Sequence, residues 1–170
     1  VFTILILATL ILASREYVRF FRAGGGRPAL PLIMVGVGAL VANRYWGWVD
    51  QGLLLTAVVV GSLIWHLVDY EAGATSSGTD FVATVGGVLY LGWMGSYLVA
   101  IRHYGPDGLW WSAVAFGTVW LADTGAYFTG RALGRHPMAP RLSPKKTWEG
   151  FAGGILSAAL SGALLGWVWT

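Results

Sequence analysis

The residues that could do chemistry gather late in this chain, and the segment Arg141-Leu-Ser-Pro-Lys-Lys-Thr-Trp-Glu-Gly150 is the densest of them. Ser143 suits a helix N-cap and Pro144 the first helical position. The spacing therefore predicts a helix start here, with Lys145, Lys146 and Thr147 in its first turn. A helix start offers free backbone N–H groups and a partial positive charge. Two ammonium groups and a hydroxyl beside it suit a triphosphate or a lipid phosphate. Lys146 cannot act as the acceptor of a capping box, so capping alone does not account for it. The other reading is a basic cluster beside a membrane, which sets orientation or holds anionic lipid. Spacing leaves both open.

Asp123 is the second candidate. It follows the apolar run Leu109 to Ala122 and precedes Gly125-Ala-Tyr-Phe128. A carboxylate at membrane depth costs about 2.5–3.5 kcal/mol, so it normally faces a cavity or a partner. Thr124 and Gly125 leave room for a ligand or ion, and this role is preferred over a helix-end pairing with Arg131 or Arg135. Glu149 falls one turn into the expected helix; it is a candidate metal ligand, but an i, i+4 pair with Lys145 is the favoured reading. His66 is expected to bond a neighbouring helix. His103 and His136 are loop residues without a partner at ligand spacing. Arg15-Glu16-Tyr17 with Arg19 reads as a basic flank rather than a headgroup contact.

The elements that position these residues follow from composition. Of 170 residues, 56% are hydrophobic and 11% charged, against about 25% charged in a soluble domain. So few charges cannot solvate a globule of this size, and a bilayer is the fitting surroundings. The chain has ten tryptophans, and Trp46, Trp48, Trp93, Trp110 and Trp111 sit near the ends of apolar runs, as an interfacial belt requires. The absence of cysteine excludes disulfides and thiolate metal sites. A spanning helix needs roughly 20 apolar residues. On that measure about six spans are expected: Val1 to Ala13, Ala29 to Trp48, Gly52 to Val68, Phe81 to Ile101, Leu109 to Phe128, and from Gly150 to the end. The fold class is an all-α, polytopic integral membrane bundle, read as one transmembrane domain over 1–170. Both ends lie within apolar runs and are expected to be cut. Glycines inside the spans (Gly36, Gly38, Gly86, Gly87, Gly92, Gly95) are expected to serve helix packing.

Polar loops are expected at Ser14 to Pro28, Asp69 to Asp80 (a flexible connector), Arg102 to Asp107, and Gly130 to Glu149. Alternating spans put the first and last of these on one face. Of the eleven basic residues, only Arg44 and Arg102 then fall on the opposite face, and the positive-inside rule makes the basic face cytoplasmic. The tight connection at Val49 to Gln51 is the weak point, because a single re-entrant element there would break the alternation. The net charge of +3 reads as topology and headgroup attraction, not as nucleic-acid binding.

The stretch Ala122-Asp-Thr-Gly-Ala-Tyr-Phe128, then Gly130-Arg131 and Gly134-Arg-His136, then Ala139-Pro-Arg-Leu-Ser-Pro-Lys-Lys-Thr-Trp-Glu-Gly150 and Gly153-Gly154, resembles the bacterial phosphatidate cytidylyltransferases. The Ser-Pro-Lys-Lys-Thr-Trp-Glu-Gly string is the specific part. Weaker likeness extends to Arg15-Glu16-Tyr17, Arg27-Pro28 and Tyr90-Leu-Gly-Trp93. The resemblance implies an enzyme of the bacterial inner membrane, with its active face cytoplasmic, that joins CTP to phosphatidic acid with Mg²⁺ and makes CDP-diacylglycerol and pyrophosphate. It implies phosphate binding by Ser143, Lys145, Lys146 and Thr147, a catalytic place for Asp123, and a possible homodimer. The family's C-terminal motif, whose aspartates carry its metal centre, is missing from these residues. The main metal ligands are therefore expected beyond residue 170, with Asp123 and Glu149 the candidates before it. The alternatives are a polyprenol kinase-like or archaeal-type lipid cytidylyltransferase, a non-catalytic scaffold, and a small-solute transporter. The transporter predicts inverted repeats, and none is visible.

Overall fold

The computed structural model describes residues 1–169 and divides into two compact units, Val1–Tyr104 and the residues from Gly105 onward. The first holds helices α1 (Phe2–Ala23), α2 (Leu30–Trp46), α3 (Gln51–Glu71), α4 (Ser77–Gly87) and α5 (Gly95–Arg102), with a π-helical segment, Val88–Met94, joining α4 to α5. The second holds α6 (Gly108–Leu133), strands β1 (Pro137–Ala139) and β2 (Ser143–Thr147), and α7 (Trp148–Trp169). The six apolar runs thus fall on helices, and the one addition is a short hairpin.

Three helical stretches are long and apolar enough to cross a membrane: Gln51–Glu71, Ser77–Arg102 and Trp148–Trp169. α2 is apolar but 17 residues long, about 25 Å against a hydrocarbon core of about 30 Å. α1 carries Arg15, Glu16, Arg19 and Arg22 on its second half, and α6 carries Asp123 and Arg131.

In the first unit α2 is the central helix. Ile33, Val37, Leu40 and Val41 recur at helical spacing and are fully buried against Val18, Val88, Leu91 and Val99. Small residues let the helices close: a Cβ on Gly92 would lie 2.9 Å from Leu40 Cδ1, and one on Gly36 3.0 Å from Val58 Cγ1. Of the six glycines expected to pack, only Gly38 has open space around it. The connection between α2 and α3 is a true turn. Gly47 takes a left-handed conformation (φ +67°), and Asp50 caps α3 by accepting the Leu53 N–H. The Asn43 side chain holds Val49 through its backbone N–H and C=O and donates to Gln51. Two separate helices therefore meet here, not one re-entrant element.

The loops are shorter than expected. α1 runs on through the basic segment to Ala23 because its inner face continues at i, i+4 spacing past the first charge. Ser14 and Val18 are buried, and the Tyr17 hydroxyl donates to Ala83 O at 2.9 Å. The Asp69 to Asp80 connector is an ordered turn. Asp80, only 4% exposed, accepts the Arg27 backbone N–H and the Ser76 hydroxyl, both at 2.6 Å. The Thr84 hydroxyl accepts the Ala29 N–H at 2.9 Å and lies 2.9 Å from His66 Nε2. His66 thus bonds a neighbouring helix, as expected. Arg19 pairs with Glu16 on the exposed flank.

The second unit is a pair of antiparallel helices whose buried residues are small: Gly150, Gly153, Gly154 and Ser161 on α7, Gly108 and Ser112 on α6. Its large apolar side chains (Trp120, Leu156, Leu160, Trp167) point outward. In water that inversion would be unstable. In lipid, association comes from close van der Waals contact between small residues, and outward apolar groups cost nothing. A Cβ on Gly153 would collide with the Thr129 side chain. Gly153→Val is therefore expected to lower the thermal midpoint of the detergent-solubilised protein, at a cost of about 1–3 kcal/mol. Gly166→Val, with nothing within 4 Å, is expected to leave it unchanged.

Candidate substrate-binding cleft

The second unit carries a cleft of about 890 Å³ at the hairpin end of the helix pair, within the range of small-molecule sites. One wall is a single stripe of α6: Asp123, Ala126, Tyr127, Gly130 and Arg131, spaced at three and four residues. Gly150 and Phe151 of α7 form the floor. Met138 of β1 and Ser143, Lys145, Lys146 and Thr147 of β2 complete it. All five residues nominated for catalysis or phosphate binding thus line one cavity.

Their scaffold differs from the expected one. Ser143–Thr147 is a strand, not a helix start. It pairs antiparallel with β1, Thr147 opposite Pro137 and Ser143 opposite Ala139. Pro144 is compatible because both strands of a two-stranded ribbon are edges, where a missing N–H costs no ladder bond. The true N-cap is Thr147, whose Oγ1 accepts the Gly150 N–H at 3.2 Å; α7 then begins at Trp148. The lysines therefore approach the cleft from an extended arm.

The arm's base is fastened by Glu149. Its Oε2 accepts the backbone N–H groups of Arg135 (3.1 Å) and His136 (3.3 Å), and Oε1 lies 2.5 Å from His136 Nδ1. The expected i, i+4 pair with Lys145 does not form, because Lys145 lies on a strand and the Glu149 carboxylate turns to the preceding loop. His136, a loop residue as expected, lies against the Glu149 carboxylate 13 residues on. Glu149 is not among the cleft-lining residues.

Asp123, Lys145 and Lys146 make no side-chain hydrogen bond or ion pair among the described residues, and all three are exposed to the cavity. Asp123 does not pair with Arg131, which instead donates to the Tyr127 hydroxyl at 2.9 Å. Opposed charges held apart and unpaired can be satisfied by a ligand that brings both signs, such as a phosphate with a divalent cation. Mg²⁺ commonly takes one or two carboxylates together with substrate phosphates, and Asp123 is the only carboxylate in the cleft lining among the described residues. Among the described residues no cluster of three His, Asp or Glu side chains could hold a metal alone. Arg131, Tyr127, Met138 and Phe151 were not anticipated. The signal for the first two was their place on the α6 stripe one and two turns beyond Asp123.

Residues 1–170 match the Cytidylyltransferase family, and the chain belongs to it. The chain is 32% identical over 164 residues to a phosphatidate cytidylyltransferase of Mycobacterium bovis, covering 90% of this chain and 53% of that protein. It is 37% identical over 136 residues to one of Brucella suis, covering 72% of this chain and 47% of the relative. A third, from Haemophilus influenzae, is 48% identical over 61 residues, 34% of this chain and 21% of that protein. The chain spans about half the length of the curated relatives it matches over most of its residues. No solved structure matches it at a significant level. With its apolar helices, this membership makes it part of an integral membrane protein.

Removing the cap should loosen the cleft's floor. Thr147→Ala is expected to cost about 1 kcal/mol of stability, read as a lower thermal midpoint in detergent, and Thr147→Ser is expected to restore most of it.

Proposed function

We propose that this chain forms part of a phosphatidate cytidylyltransferase and contributes its phosphate-binding wall. In that reaction a phosphate oxygen of phosphatidic acid attacks the α-phosphorus of CTP. The bond from that phosphorus to the bridging oxygen breaks, and pyrophosphate leaves. The products are CDP-diacylglycerol and pyrophosphate. The observation that carries the reading is the gathering of Asp123, Ser143, Lys145, Lys146 and Thr147 around one cleft at the end of an apolar helix pair.

The geometry suits such a transfer. Phosphoryl and nucleotidyl transfers depend on positioning and charge neutralisation more than on covalent catalysis. Lys145 and Lys146 supply point charges for phosphate oxygens. The Ser143 hydroxyl can donate a hydrogen bond to another oxygen. Arg131, held by Tyr127, offers a planar fork for a further phosphate. Asp123 would hold Mg²⁺, which would supply charge neutralisation at the scissile group. Tyr127, Phe151 and Met138 give the cleft an apolar side, where a glycerolipid can approach from the bilayer without exposing its chains to water.

The cleft is read as opening to the cytoplasm, the compartment that holds CTP, on the inner membrane. The basic residues of the Gly130 to Glu149 segment support that orientation.

The test is an assay of the full-length protein in mixed detergent–lipid micelles with labelled CTP, Mg²⁺ and phosphatidic acid. Labelled CDP-diacylglycerol and stoichiometric pyrophosphate are the expected products; their absence from well-folded protein defeats the reading. Hydrogen bonds to charged groups contribute about 1.5–3 kcal/mol each. Lys145→Ala with Lys146→Ala is therefore expected to lower kcat/KM for CTP by at least about 100-fold, with the thermal midpoint little changed.

A further inference from the structure

The lysine arm is too small to hold itself. Its strands have three and five residues, and their register shifts between Pro137 and Ala139. A lone two-stranded ribbon is at best marginally stable. Its tip, Pro140 to Leu142, is exposed, with Leu142 at 89%. Two fastenings hold the base. One is the backbone bond from the Trp148 N–H to His136 O at 3.0 Å. The other is the Glu149 carboxylate, whose two oxygens hold both backbone N–H groups and the imidazole of the Arg135–His136 turn. Its side chain is 25% exposed, against 76% for His136.

We propose that Glu149 is a positioning residue: by clamping the Arg135–His136 turn to the start of α7, it sets where Lys145 and Lys146 stand in the cleft. Two other roles fit the geometry less well. Glu149 is outside the cleft lining, and its oxygens are taken by three N–H donors, so it is not placed as a metal ligand. It also makes no ion pair with Lys145 among the described residues. The clamp acts on the lysines through the backbone. A displacement of about 1 Å in such a group can cost about 100-fold in rate, although the fold barely changes.

The proposal rests on the phosphate-binding reading of the lysines, and two measurements on the full-length protein separate it from that reading. The first needs no turnover: amide hydrogen exchange in micelles. In Glu149→Ala, exchange over residues 135–147 is expected to rise at least about tenfold, with the interiors of α6 and α7 unchanged. Glu149→Gln keeps a carbonyl for the two backbone N–H groups and is expected to stay near wild type. Unchanged exchange in Glu149→Ala, or faster exchange throughout α6 and α7, overturns the clamp whatever the enzyme does.

The second measurement is kinetic. Glu149→Ala is expected to lower kcat/KM for CTP by about 10- to 100-fold, and Glu149→Gln to recover most of it. His136→Ala, which leaves both backbone bonds in place, is expected within about threefold of wild type. In a Lys146→Ala background, Glu149→Ala is expected to lose clearly less than it does alone, because part of what it positions is gone. An equal, independent loss in both backgrounds would mean that Glu149 acts directly, and would overturn the positioning role. A Lys145→Ala, Lys146→Ala variant of full activity would instead defeat the phosphate-binding reading, while the exchange result still decides whether the clamp exists.

Discussion

The second unit depends on the close approach of α6 and α7, which brings Gly150 against Gly130. A Cβ on Gly150 would lie 2.9 Å from Ala126 O and 3.1 Å from Gly130 Cα, so the two backbones are nearly in contact. In a bilayer the hydrophobic effect does not hold helices together, and this kind of packing does. That approach fixes where α7 begins relative to the end of α6. The chain between Leu133 and Trp148 must then leave and return within a short span, and a hairpin is the economical path. Ser143, Lys145, Lys146 and Thr147 are thereby delivered beside a stripe of α6 that already carries Asp123.

The polar chemistry follows from that delivery. Asp123 stands two turns before Gly130, about 10 Å along the helix. The strand places Lys145 and Lys146 in the same cavity, unpaired with it among the described residues. A carboxylate and two ammonium groups left unpaired in one cavity favour a ligand that carries negative oxygens and a counter-cation.

Much of this was legible in the sequence, and the failures have definite causes. Apolar runs located the helices, and Asp123 and the Ser143 to Thr147 string were found by their chemistry. The end of α1 was misplaced because counting apolar residues stops at Arg15, while the buried face at Ser14 and Val18 continues. The strand at Ser143–Thr147 was read as a helix start because Ser-Pro satisfies both. Deciding between them needs the partner strand at Pro137, which local propensity does not reveal. The cap fell to Thr147, the next residue able to accept the Gly150 N–H. Glu149 was assigned to its i−4 neighbour for the same reason: its real partners, Arg135 and His136, are brought close only by the hairpin. Pairing across a turn is a tertiary fact, and it was the part of the site that residue spacing did not contain.

In the proposed reading, the nucleotide binds in this cleft. Met138 lines it without carrying charge, so it can report occupancy without removing a binding group. In full-length protein bearing Met138→Cys, and free of other reactive thiols, the rate of modification by a water-soluble thiol reagent should fall several-fold when CTP and Mg²⁺ are added. It should return to its starting value when they are removed. An identical rate with and without nucleotide, in protein that still turns over, would place CTP elsewhere and contradict the account.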